Sequence, residues 1–193
     1  MPGARVSSYM GRAERPLLFD TPAGFDDPLE MLLGCHRRIE RQLETLRRLR
    51  EHLDRNGVDA DASGAAQAVL NYFGRAATHH HQDEEADLLP LLEARIDEAG
   101  EAARFKEFRA ALERDHRTLE EAWARLRKPL EAIAEGFNRS LAPRDVDAFV
   151  VAYLAHIRFE EAEIKSLFER WLGPADRRTL GLSMSARRSV PRT

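Results

Sequence analysis

Residues 79–90 read His-His-His-Gln-Asp-Glu-Glu-Ala-Asp-Leu-Leu-Pro. Three histidines and a run of acids sit inside an apolar pattern. Val69, Phe73, Ala76 and Ala77 precede them, and Leu88, Leu91 and Leu92 follow, at the three- and four-residue steps of an amphipathic helix. In that register His80 and Glu84 occupy the apolar stripe one turn apart. His81 and Glu85 fall about 100° round, at its margin. An imidazole beside a carboxylate can chelate a divalent transition metal. A lone His-x3-Glu is more often a solvated polar face, so its meaning rests on the rest of the chain.

Working outward, Asp27-Pro28 reads as an N-cap and first helical residue. Leu29, Leu32, Leu33, Ile39, Leu43, Leu46, Leu49 and Leu53 then recur at helical steps up to an Asn56-Gly57 stop, and His36 interrupts the stripe. Ser63 is the expected cap of the helix that carries residues 79–90, and Pro90 should kink it or close it soon after. A third helix after Ala99-Gly100 has Phe105, Phe108, Leu112, Leu119, Trp123, Leu126, Leu130 and Ile133 on one face, with His116 in the gap. Pro129 should bend its end and Gly136 stop it. Ala142-Pro143 opens a fourth, whose face is Val146, Phe149, Val150, Tyr153, Ile164, Leu167 and Trp171, interrupted by His156 and Glu160. Gly173-Pro174 reads as its stop. The expectation is an all-α, antiparallel up-down-up-down four-helix bundle over residues 25–173. A flexible N-terminal arm (1–24) and a disordered basic tail (174–193) with five arginines should flank it.

The composition fits this. Of 193 residues 43% are hydrophobic and 33% charged, and 11 glycines and 9 prolines are too few for a turn-rich β architecture. A net charge of −3 predicts no affinity for nucleic acid or anionic membrane. No apolar run approaches the roughly 20 residues that span a bilayer, and the N-terminus lacks the apolar core of a signal peptide, so a cytoplasmic location is expected. The single cysteine, Cys35, rules out an internal disulfide framework and a thiolate zinc cluster. Any metal must be held by nitrogen and oxygen.

Six polar residues therefore interrupt apolar stripes: His36, His80, Glu84, His116, His156 and Glu160, with at least one on every helix. A rise of about 1.5 Å per residue puts all six in one layer about two turns thick. A buried carboxylate without a partner costs several kcal/mol, and two near each other repel; cations remove both penalties. Four imidazoles and two carboxylates exceed what one tetrahedral zinc needs. They suit two ions bridged by the carboxylates, and mixed nitrogen and oxygen ligation fits iron or manganese.

The order His36, His80-x3-Glu84, His116, His156-x3-Glu160 resembles the hemerythrin-like, or HHE cation-binding, domain, in its bacterial branch. The His-His-x-x-Glu-Glu-x-x-Leu-Leu-Pro run at 80–90 is the most recognisable segment, and the resemblance covers about residues 27–172. It implies a four-helix bundle around two iron ions in a non-haem di-iron centre, with manganese or zinc as substitutes. It also implies His81 as a seventh ligand, with Glu120 and Glu161 as weaker candidates. His79 and His52 are expected at the surface. The chain departs from the oxygen carriers: His116 is followed at i+4 by Glu120 rather than by histidine, and the fourth helix offers Glu160 at i+4 and Glu161 at i+5. A ferritin-like site is excluded, because that uses Glu-x-x-His in the opposite order.

Three functions follow: binding or sensing of O2, NO, peroxide or iron itself; a di-iron enzyme that removes peroxide or another small oxidant; and a metal-free structural bundle. The expected partner is a small diatomic or peroxide ligand, with neither nucleic acid nor membrane. The sequence assigns no catalytic residue.

Overall fold

The computed structural model describes residues 24–137 and 139–189, and among these every regular element is a helix. The expected arm lies outside the described residues save for Gly24. Helix α1 is Pro28–Asn56. Helix α2 runs through five successive segments, Ala60–Asn71, Tyr72–Ala76, Ala77–Gln82, Asp83–Leu88 and Leu89–Glu93. Helix α3 is Ala99–Ala134, α4 is Pro143–Trp171 and α5 is Pro174–Ser189. Each long helix packs on the next in chain order, and α4 returns to α1.

Local chemistry sets the ends. The Asp27 carboxylate accepts from the Glu30 N–H at 3.1 Å, with Pro28 at the first helical position. At the other end of α1, Gly57 takes φ +72°, which disfavours a side chain, and its N–H closes onto the Leu53 carbonyl. The cap of α2 is Asp59, not the expected Ser63: Asp59 accepts from the Ala62 N–H at 2.8 Å. Ser63 lies one turn inside the helix and donates its hydroxyl to the Ile133 carbonyl, tying α2 to the end of α3.

Two stretches of α2, Tyr72–Ala76 and Asp83–Leu88, are π-turns. A π-turn widens the helix by one residue and moves the following stripe round. The second lies just ahead of Pro90, whose ring would otherwise crowd the carbonyl four residues back. The helix passes through Pro90 and ends at Glu93.

The expected disordered tail is instead, up to Ser189, helix α5. Gly173 and Pro174 do break α4, but Pro174 then serves as the opening residue of a new helix. Leu180 and Met184, one turn apart, are fully buried in it. Three of its four arginines are engaged: Arg187 and Arg188 bind Asp83, and Arg177 donates to the Leu172 carbonyl and covers the Phe168 ring. Residues 190–193 lie outside the described residues.

Apolar packing falls into two clusters. One holds Leu43, Leu46, Phe73, Leu119, Phe149 and Tyr153. The other holds Leu32, Leu88, Leu92, Leu112, Ile164, Phe168 and Met184. A side chain such as Phe149 or Phe168, fully enclosed, contributes about 1.5–3 kcal/mol by burial. The two clusters meet the chain on either side of the same residues: His36, His80 and Glu84, His116, and His156 and Glu160. The site is a polar layer cut through the core.

Candidate metal centre

Within that layer His36, His80, Glu84, His116, His156 and Glu160 are all buried, and His81 is half-buried. They form two groups. His36, His80, Glu84 and Glu160 bring ligating atoms within 4.8 Å of one another, and so do His81, His116 and His156. The carboxylates join the groups. Glu84 places Oε1 3.0 Å from His80 Nε2 and Oε2 3.2 Å from His116 Nε2. Glu160 Oε2 lies 3.1 Å from His36 Nε2 and 3.7 Å from His156 Nε2. The neighbours His80 and His81 serve different groups.

All seven sequence candidates are thus brought together, while the others fall elsewhere. His52 pairs with Asp59 at the surface, and His79 lines a separate cavity. Glu120 is exposed on the wall of the cavity that reaches His81 and His116. Glu161 meets the back of a histidine: its Oε1 is 2.8 Å from His36 Nδ1. Glu85, placed beside His81 by helical spacing, reaches across to α3 and lies 2.5 Å from His116 Nδ1. A carboxylate on Nδ1 holds the proton there and turns the Nε2 lone pair inward, the usual support of a metal-ligating imidazole. Sequence reasoning missed that role for Glu85. A signal was present: both inward glutamates are followed by a second, Glu84-Glu85 and Glu160-Glu161, and the second of each pair faces a neighbouring helix.

Asp83 was also missed. It is fully buried, and its two oxygens take Arg187 and Arg188 of α5; Arg187 also binds Asp87. It stands next to Glu84 in the π-turn, so α5 fastens the stretch of α2 that carries the carboxylate.

The charges in the layer are mutually opposed. Burial alone would raise Glu84, but His80 and then His116 hold it well below the carboxylate range. Glu160 is raised, by burial and by the facing Glu84, with His36 offsetting only part. Burial would lower His80, but Glu84, with Cys35 and Glu160, pushes it well above its ordinary value. His156 falls to about 3 through burial, with His116, His80 and His36 adding to it against Glu84. Both Glu84 oxygens, Glu160 Oε1, His116 Nε2 and both ring nitrogens of His80 and His156 are buried without a hydrogen bond. Such atoms cost about 1–3 kcal/mol each when left unsatisfied. Imidazole nitrogen and carboxylate oxygen are donors that suit iron, manganese or zinc, so the residues present fit a metal ion.

The profile of the hemerythrin HHE cation binding domain matches residues 27–168. The chain belongs to this family. An uncharacterized protein of Haemophilus influenzae is 33% identical over 178 residues, 87% of this chain and 94% of that one. The match to the HHE family ends before α5, so the helix that binds Asp83 lies outside the matched domain. Among the described residues no helix is long and apolar enough to cross a membrane.

Proposed function

We propose that this HHE-family protein is a non-haem di-iron protein that binds or senses a small oxidant or diatomic ligand such as O2, NO or peroxide. The observation carrying the reading is the pair of ligand groups joined by shared carboxylates. His36 and His80 would hold one ion and His81, His116 and His156 the other, with Glu84 and Glu160 common to both. The four long helices, taken as an antiparallel up-down-up-down bundle, supply this set from every rod. Bound iron would supply redox chemistry and a Lewis-acid position for the ligand. The chain supplies the rest: Glu161 and Glu85 orient His36 and His116, and the apolar clusters close the layer above and below along the bundle.

A second reading, turnover of peroxide, is favoured by one cavity. It has a volume of about 430 Å³, and His81, His116, Tyr153, Trp123 and Glu120 line it. That is more room than a diatomic needs, and it gives solvent a route to His81 and His116. Neither reading involves nucleic acid or membrane.

The test is metal analysis of protein purified without chelator, followed by iron reconstitution under reducing conditions. Close to two metal ions per chain are expected. His80→Ala and Glu160→Ala should lower the metal content sharply and His79→Ala should leave it unchanged. Equal loss in all three variants, or no iron uptake by the intact chain, refutes the assignment. Catalytic loss of added peroxide by the loaded protein would select the second reading.

A further inference from the structure

Beside the metal layer, but outside it, α1, α2 and α5 enclose a small cavity of about 200 Å³. Its wall carries Arg38 from α1, Arg75 and His79 from α2 and Arg188 from α5, over the Cys35 thiol and the Tyr72 ring. No carboxylate lines it. Four other cavities on this surface each have at least one: Glu120, Glu131, Glu163 and Asp26 are examples. The arginines here are also short of partners. Arg188 is bound to Asp83 and to the Met184 carbonyl. Arg38 touches only the Cys35 sulfur, at 3.6 Å, and among the described residues Arg75 has no hydrogen bond or ion pair. Arginines such as Arg48, Arg109 and Arg170 find carboxylates, and others such as Arg47 and Arg158 have none among the described residues; what distinguishes Arg38 and Arg75 is that both line one recess whose wall holds no carboxylate. Two uncompensated guanidinium groups and a third bound at the rim repel one another in a recess, and a bound anion offsets that repulsion.

We propose that Arg38, Arg75 and Arg188 form a binding site for a small oxyanion of phosphate type above Cys35. The planar fork of arginine matches oxyanion geometry and binds it through charge-assisted hydrogen bonds. Two unpaired cations match a dianion. The volume exceeds what a halide needs and falls below the roughly 300 Å³ at which pockets for drug-sized organic molecules begin. No residue of the ligand set lines the cavity, although Cys35 directly precedes His36 in α1 and its thiol lies against the His80 ring. Arg188 belongs both to this wall and to the Asp83 ion pair, so the anion sits where α5 is fastened to α2.

Calorimetric titration of the full chain with inorganic phosphate, at ionic strength held constant with sodium chloride, tests this. One saturable site per chain is expected, weakened about tenfold or more by Arg75→Ala or Arg38→Ala and only partly by Arg75→Lys. Arg144→Ala, whose side chain is 90% exposed, should change nothing. Methyl phosphate in place of phosphate separates two sources: comparable binding means that the pocket accepts a phosphate group carried by a larger molecule, and its loss means the free ion. Absence of saturable binding overturns the proposal. So does binding that Arg75→Ala and Arg38→Ala leave intact, including binding that chelator abolishes, because phosphate is then held by the metals. Arg75 is exposed and Arg38 half-buried, and neither belongs to the apolar core, so both variants should fold.

Discussion

Helix α5 should contribute to stability through one buried carboxylate as well as through Leu180 and Met184, and the size of the loss depends on which partner of that carboxylate pair is removed. Asp83 is fully buried, whereas Arg187 and Arg188 keep about a fifth and a quarter of their side chains exposed. Replacing both arginines by alanine leaves a carboxylate in the core with no counter-charge. Breaking a buried pair in this way costs about 3–5 kcal/mol. Replacing Asp83 by leucine instead leaves two arginines that can turn to water, and Arg187 keeps Asp87 at 2.7 Å; about 1–2 kcal/mol is expected. Combining the three changes should return part of the loss, since the orphaned charge is gone. Equilibrium urea denaturation of chelated protein reads this directly from the transition midpoint at constant m. A double arginine variant no less stable than Asp83→Leu, or a triple variant less stable than the double, would refute the burial of Asp83 and the docking of α5.

Other predictions concern the layer and its surroundings. Glu161→Gln and Glu85→Gln should each weaken metal affinity about 10–100-fold without emptying the site, read by competition with a chromophoric chelator; affinity equal to wild type would mean that the Nδ1 contacts do not orient His36 and His116. In metal-free protein His156, at about 3, and His81, lowered well below 6.5 by burial and then by His116, stay neutral in the fold while the unfolded chain takes up protons. Each therefore removes about 1.4 kcal/mol per pH unit as pH falls below 6.5. Glu160, raised by burial and by Glu84, works in the opposite sense and offsets only one of them. Denaturation midpoints of chelated protein should fall from pH 6.5 to 5, and a rising profile counts against the burial of these rings. A methyl at Gly181 would collide with the Phe25 carbonyl, so Gly181→Ala should destabilise by about 1–3 kcal/mol in thermal unfolding; an unchanged midpoint would mean that α5 does not pack on that segment.

The long helices and the buried layer of histidines and glutamates were legible in the chain because both obey a local rule. A stripe at steps of three and four names its own inward positions, so His36, His116 and His156 stood out as polar residues in apolar company. What lay beyond that rule needed the fold. The π-turns of α2 shift the stripe by a residue, and no periodic count foresees where the helix will widen. Helix α5 reads as a tail because Gly173-Pro174 ends one helix in the same letters that begin another, and because its basic residues find Asp83 and Asp87 about 100 residues away. Glu85 was placed by spacing beside His81, on its own helix, yet it binds His116 on the next. By itself the sequence determined most of the buried stripe along each rod, Asp83 excepted, since burial follows largely from the pattern of one helix. Only the tertiary structure decided which acid faces which base, because that depends on the distance and rotation between rods, and these are set by packing.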